Sequence, residues 1–309
     1  LTMGKTLEPL LGIDLYMIIF IVAIISGIYI TFGGQTAVIF TDLLQGFILI
    51  FAGILVFILG INYVGGFDIF WNALSPEFKL PLANFNQPAN FNFVGIFWQD
   101  GVAGSVGFLF MNQGLIMRFM ACKSVNEGRK AAAFNVLVLL PISTVVVSNA
   151  GWIGKAISIV TPESWNTTTQ LDHVFTQVAY LITGSEVLFA FVIAAVAAAL
   201  MSTVDTLINA VAAVVINDIY RPIVKDKDDK HYLKVAMIVS AGATAVGALS
   251  TIFFENFPTL YEAHGFFHST MTPPLVVAIF LGIFWKRYST PAAFATFLGG
   301  AILMWIGNK

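Results

Sequence analysis

The most constraining feature of this sequence is a series of apolar runs, each about 20 residues long. A run of that length is what an α-helix needs to cross the roughly 30 Å hydrocarbon core of a membrane. Of the 309 residues, 58% are hydrophobic and only 10% are charged, and a soluble fold cannot hide that much apolar surface. The runs are also too long for the strands of a transmembrane barrel. The sequence therefore predicts an all-α, polytopic membrane helix bundle.

The sequence predicts about eight transmembrane helices in a single membrane domain that covers residues 1–309. A turn at Phe32–Gly34 separates the first two, and the loops Gly65–Asn92 and Gly154–Glu186 contain most of the other turn-forming residues. Pro273 and Pro274 predict a break in the first turns of the seventh helix. The predicted bounds are Leu11–Thr31, Gln35–Asn62, Val94–Arg118, Lys130–Ile153, Val187–Ile216, Lys234–Phe254, Tyr261–Trp285 and Pro291–Ile306.

The positions of Lys and Arg predict how these helices are oriented in the bilayer. Eleven of the 15 basic residues fall on one side, in the loops at 118–130, 217–234 and 286–290 and at their edges. Cytoplasmic loops are the ones enriched in Lys and Arg, so these loops are expected to be cytoplasmic in a multi-pass protein of the plasma membrane. The net charge of −2 gives no electrostatic argument for binding nucleic acid.

Three carboxylates, Asp42, Asp100 and Asp205, lie inside the predicted helices, where an ionisable group is costly and usually functional. Ser202, Asp205 and Thr206 share one helical face, since residues at i, i+3 and i+4 are neighbours. Hydroxyl and carboxylate oxygens are the ligands of hard cations. The alternative is that the hydroxyls bond back to the i−4 carbonyl and the small residues around them serve packing.

Polar residues in the third and seventh helices are candidate contacts for a solute. Asn112 and Gln113 interrupt a Gly-rich helix of the kind found as discontinuous helices in transporters, although close packing also accounts for the glycines. Asp100 and His264 lie nearer the predicted external ends of their helices, and interfacial packing is the alternative role for the histidine. The sequence contains none of the common catalytic motifs, which argues against an enzyme and against an organic cofactor.

Four stretches taken together resemble the sodium/solute symporter family, which includes sodium–glucose and sodium–proline cotransporters. They occur in the order and spacing of the family over nearly the whole chain. The stretches are Phe32–Asp42, Asn112–Ser124, Ala199–Tyr220 and Phe280–Lys286.

The resemblance implies a secondary active transporter that couples sodium to the symport of a small organic solute by alternating access. It also implies part of a five-plus-five inverted-repeat (LeuT-like) fold. This chain would hold the last two helices of the first repeat, the five of the second and one more, so it is expected to be a fragment without the N-terminal helices. The alternative function is a membrane channel or a non-transporting sensor on the same scaffold.

The resemblance further assigns ligands for the coupling ion, Na⁺. The main sodium site is expected at the Ala199 carbonyl and the Ser202 and Thr203 hydroxyls, with both hydroxyls directed at a common void. A possible second cation site comprises Asp42, Asp205 and Thr206, where family members often have a hydroxyl residue in place of Asp205.

The two carboxylates of the second site are expected to approach one another and share a cation, and one of them is expected to hold a proton when no cation is bound. In the alternative, Asp205 only bonds to Thr206 or Asn209.

The resemblance leaves the solute open and does not favour a hexose. Asn112 matches a sugar-contacting Asn of the family. Gly114, Leu139 and Gly265, however, replace the aromatic, Lys and Gln that accompany it in sugar transporters.

Overall fold

The computed structural model describes residues 1–79, 97–105, 107, 111–166, 173–257 and 259–307, and every regular element in these ranges is helical. Within them, seven helices are long and apolar enough to cross a membrane, judged by length and composition. With the shorter helices they are numbered in chain order: α1 (Thr2–Leu11), α2 (Leu15–Gly34), α3 (Thr36–Val64), α4 (Phe67–Ala73), α5 (Pro76–Lys79), α6 (Gln113–Met120), α7 (Val125–Val160), α8 (Val174–Thr183), α9 (Glu186–Ile223), α10 (Asp229–Phe254), α11 (Leu260–Phe284) and α12 (Thr290–Gly307).

The seven long helices correspond to seven of the eight predicted spans. The remaining prediction, Val94–Arg118, falls partly outside the described residues. Its described parts are a π-helix at Phe97–Gly104 and the helix α6, with a non-helical residue, Asn112, directly before α6.

Gly34 forms the predicted turn between the first two spans. Its backbone has φ 60° and ψ −168°, which a residue with a Cβ rarely adopts, and this interrupts an otherwise continuous helical stretch from Leu15 to Val64. The predicted start at Leu11 is wrong, because α1 ends there and Gly12 terminates it with φ 61°. Asp14 instead caps α2 by accepting hydrogen bonds from the backbone N–H groups of Tyr16 and Met17.

The predicted loop at Gly154–Glu186 is partly helical. The helix α7 continues to Val160, and α8 follows with Val178 and Ala179 fully buried. Hydropathy alone did not indicate α8 because its ten residues are too few to span a bilayer. The predicted break at Pro273 and Pro274 is also wrong, since α11 runs through both prolines. Helices in membranes tolerate Pro where neighbouring groups satisfy the freed backbone carbonyls.

The chain divides into two compact units. One comprises Leu1–Ser75 and Met117–Glu255, and the other comprises Pro76–Ile116 and Asn256–Lys309. The single membrane domain expected from the sequence stays a prediction.

In the first unit, α3 and α7 pack closely through small residues. Gly53 and Gly60 are seven residues apart and face α7, where an added Cβ would clash with a Val146 methyl group at Gly53 and with an Ile153 methyl group at Gly60. The buried Asn149 amide donates a hydrogen bond of 2.7 Å to the Gly53 carbonyl. Glycines on one helical face thus permit an approach that any larger side chain would block.

Replacing Gly53 with Ala is therefore expected to destabilise the protein by roughly 1–3 kcal/mol, the usual cost of overpacking. The measurement is the melting temperature of the purified protein in detergent. Gly46→Ala is the matched control on the same helix, because an added Cβ there meets nothing within 4 Å. Equal melting temperatures for the two variants would contradict the close packing.

Candidate functional site

The candidate cation residues of α9 differ sharply in exposure. Asp205 is fully buried, Ser202 and Thr206 are half-buried, and Thr203 is exposed. Successive residues of a helix point about 100° apart, so neighbours such as Ser202 and Thr203 face different surroundings. The face that carries Ser202 and Thr206 is directed at α3, as their hydrogen bonds to Asp42 show.

Asp42 of α3 is the centre of a network of side chains. Its Oδ1 accepts a hydrogen bond from the Ser202 hydroxyl, and its Oδ2 accepts one from the Thr206 hydroxyl at 3.5 Å. The Arg118 guanidinium forms an ion pair with the same Oδ2 through Nη2. That nitrogen also donates to Thr206 Oγ1 at 2.7 Å. Three of the predicted cation residues are therefore brought together, and Arg118 joins them.

Arg118 was not predicted as a site residue, because its place in the sequence is the edge of a predicted cytoplasmic loop. In the structure the Arg118 side chain is 33% exposed and the Asp42 side chain 14% exposed. The signal in the sequence was the carboxylate itself. A charge inside a membrane helix needs a partner, and an Arg that ends an apolar run is a good candidate.

The Asp205 carboxylate, in contrast to that of Asp42, has no hydrogen-bond partner in the part of the chain that the structure describes. Neither of its carboxylate oxygens has a hydrogen-bond partner among the described residues, although the side chain is fully buried. The alternative hydrogen bonds to Thr206 and Asn209 are not formed. The Thr206 hydroxyl instead donates to Asp42, and the Asn209 amide nitrogen is itself buried without a partner in the described structure. Burying a carboxylate without a partner is energetically costly, and this cost favours the binding of a cation or a proton by Asp205.

The predicted main sodium residues make separate contacts. Thr203 Oγ1 donates to the Ala199 carbonyl at 3.4 Å, whereas the Ser202 hydroxyl donates to Asp42. These oxygens are of the type that binds hard cations. The common void expected between Ser202 and Thr203, and the sharing of a cation by Asp42 and Asp205, both stay predictions.

The predicted solute residues belong to the other compact unit. Asn112 caps α6, because its Oδ1 accepts a hydrogen bond of 3.0 Å from the Leu115 backbone N–H. Gln113 is the first residue of α6 and is half-buried. His264 is exposed on α11, with its ring centroid 5.0 Å from that of His268. The side chain of Asp100 lies outside the described structure.

Comparison with curated proteins finds transporters for different solutes. The chain is 24% identical to a sodium/glucose cotransporter of Vibrio parahaemolyticus, covering 94% of this chain and 56% of that protein. It is 25% identical to the sodium/sialic acid symporter NanT of Aliivibrio fischeri, covering 97% and 60%. It is 26% identical to the osmoregulated proline transporter OpuE of Bacillus subtilis, covering 98% and 60%. The chain thus spans well under two thirds of the length of these relatives.

Among solved structures, the chain resembles the substrate-bound, outward-open state of a Na⁺-coupled sialic acid symporter. The TM-score is 0.75 at 18% identity, over 99% of this chain and 68% of that one. This likeness confirms the predicted LeuT-like transporter fold. The model of the sodium:solute symporter family matches residues 1–300. A match over nearly the whole length shows that this chain belongs to the sodium:solute symporter family.

Proposed function

We propose that this chain is part of a secondary active transporter that couples the inward movement of Na⁺ to the symport of a small organic solute by alternating access. Family membership supports this proposal. The observation that carries it is the Asp42 network, in which hydroxyl and carboxylate oxygens from α3 and α9 meet, together with the bare, buried Asp205 that directly precedes Thr206 on α9. Such oxygen-rich clusters inside membrane helices are typical of ion pathways.

Two cation sites are proposed on α9. The main sodium site uses the Ala199 carbonyl with the Ser202 and Thr203 hydroxyls, and the second uses the residues Asp42, Asp205 and Thr206. Each sodium ion that moves inward supplies about 2.3 kcal/mol per 100 mV, in addition to its concentration gradient. A second ion would therefore roughly double the energy available to drive the solute.

For the solute we propose Asn112 and Gln113 as cavity contacts, with Asp100 and His264 nearer the external mouth. The relatives transport glucose, sialic acid and proline by their names, so the comparisons agree on a small organic solute and differ on which one. The residues Gly114, Leu139 and Gly265, which depart from the sugar-transporter pattern, argue against a hexose.

The proposed location is the plasma membrane, with the loops at 118–130, 217–234 and 286–290 on the cytoplasmic side. The distribution of Lys and Arg supports this orientation. Labelling of single cysteines introduced into these loops, in intact and in permeabilised cells, tests it. Labelling of these cysteines in intact cells would show that the loops are external and would contradict the proposed orientation.

The function is tested by uptake into proteoliposomes that contain the transport-competent protein carrying this chain. A panel of amino acids, sugars and organic acids is offered with an inward gradient of sodium or, as control, of choline. Saturable uptake that needs the sodium gradient supports the symporter. Conductance that does not saturate would favour a channel, and the absence of uptake for every solute would favour a sensor.

Ser202→Ala is expected to raise the sodium concentration for half-maximal uptake about tenfold. One hydroxyl bonded to a charged group contributes roughly 1.5–3 kcal/mol, and the lower end of this range corresponds to about tenfold, since 1.4 kcal/mol is a factor of ten. Ser250→Ala is the matched control, because Ser250 is exposed on α10 and its hydroxyl donates to the nearby Gly247 carbonyl of the same helix. Sodium dependence that is unchanged in Ser202→Ala would remove this residue from the site.

A further inference from the structure

We propose that Arg118 is a tethered cation that competes with sodium at the second cation site and must leave Asp42 before sodium binds there. This inference rests on the proposed function and adds to it a residue that controls cation affinity. It assigns to Arg118 a role in the transport cycle that the sequence did not indicate.

Arg118 occupies the position that a second cation would take. A single nitrogen, Arg118 Nη2, contacts both Asp42 Oδ2 and Thr206 Oγ1, the latter at 2.7 Å. These oxygens belong to two of the three side chains proposed to bind the second cation. A sodium ion coordinated by the same two oxygens would have to lie where this nitrogen lies, so the two cannot be bound there together.

The charges of the proposed site also favour the entry of a cation. The proposed site contains two carboxylates, Asp42 and Asp205. The guanidinium pairs with Asp42, whereas Asp205 lacks any hydrogen-bond partner in the described structure. A buried carboxylate without a partner favours the entry of a cation. A sodium ion that enters the proposed site would repel the guanidinium at Asp42, because like charges at short range are unfavourable in a medium of low dielectric constant.

The Arg118 side chain reaches solvent, into which it can move when it leaves Asp42. One third of its side chain is exposed, whereas the Asp42 side chain is 14% exposed. A side chain that already reaches solvent can exchange Asp42 for water, while Asp42 stays in place to receive sodium. Asp42 also keeps its hydrogen bond from Ser202, which holds the carboxylate during the exchange.

The test is equilibrium binding of radioactive sodium to the purified transport-competent protein, with no solute present. Arg118→Gln is expected to lower the sodium concentration for half-saturation about tenfold, or about 1.4 kcal/mol. Arg118→Lys is expected to lower it only about threefold, because Lys keeps the positive charge but does not reproduce the geometry with which the guanidinium reaches Asp42 and Thr206. Arg129→Gln, an exposed position on α7, is the control and should match the wild type.

A second measurement identifies the competing group. In Arg118→Ala, a few millimolar guanidinium chloride is expected to fill the vacated position and to weaken sodium binding competitively, whereas the wild type should not respond. Sodium binding as in the wild type, or weaker, in both Arg118→Gln and Arg118→Lys would overturn the proposal.

If Arg118→Gln does not fold, the sodium affinity of Arg118→Lys tests the proposal by itself. Binding tighter than in the wild type supports it, and binding that is unchanged or weaker overturns it. A failure of the proposed function can be distinguished from a failure of this inference, because in the first case the wild type would bind no sodium at all.

Discussion

Asp42→Asn is expected to reduce sodium-driven uptake more than tenfold and to destabilise the protein. The substitution removes the carboxylate that accepts hydrogen bonds from Ser202 and Thr206 and that pairs with Arg118. Removing one partner of a buried ion pair costs roughly 3–5 kcal/mol. Because a third of the Arg118 side chain is exposed, we expect about 1–3 kcal/mol here. The measurements are uptake into proteoliposomes and the melting temperature in detergent.

Two variants separate stability from transport in this prediction. Asp218→Asn is the control. Asp218 lies on α9, the helix whose Ser202 and Thr206 contact Asp42, but its carboxylate is exposed near the end of that helix. The double variant Asp42→Asn with Arg118→Gln is expected to recover much of the lost stability, since no unpaired guanidinium remains, but not to recover uptake. Wild-type melting temperature and uptake in Asp42→Asn would show that the network has no role.

Asp205→Asn is expected to remove most of the stabilisation that sodium confers through the second site. A ligand present at 100 times its dissociation constant stabilises a protein by about 2.7 kcal/mol, so losing one site costs roughly this amount. In choline the same variant should melt at a higher temperature than the wild type, because it no longer buries a carboxylate without a partner. The measurement is the melting temperature in sodium and in choline.

The sodium dependence of uptake gives a second readout for Asp205. If two sodium ions drive the wild type, Asp205→Asn should lower the Hill coefficient for sodium towards one. Asp68→Asn, at an exposed carboxylate of α4, is the control for loss of a negative charge. An unchanged thermal response to sodium in Asp205→Asn would exclude this residue as a cation ligand.

Helix content and most helix positions could be predicted because both depend on local information. A run of about 20 apolar residues must become a helix in a bilayer, since no other open structure satisfies its backbone there. The turn at Gly34 was predictable for the same kind of reason, as glycine adopts its φ of 60° without strain. The helix α8 and the continuity of α11 were not predicted. The short α8 depends on the neighbouring helices that bury it, and α11 depends on neighbouring groups that satisfy the backbone carbonyls freed by its prolines.

For the candidate site, too, one part could be predicted from the sequence and another part depended on the tertiary structure. Sequence alone determined that Asp42, Ser202, Asp205 and Thr206 were unusual, since polar groups in membrane helices are costly wherever the chain folds. Only the tertiary structure decided that Arg118 pairs with Asp42 while Asp205 has no partner among the described residues. The partners come from α3, α6 and α9, segments more than 75 residues apart along the chain. Spacing along one helix shows which residues share a face, but the packing of helices determines which charge lies opposite.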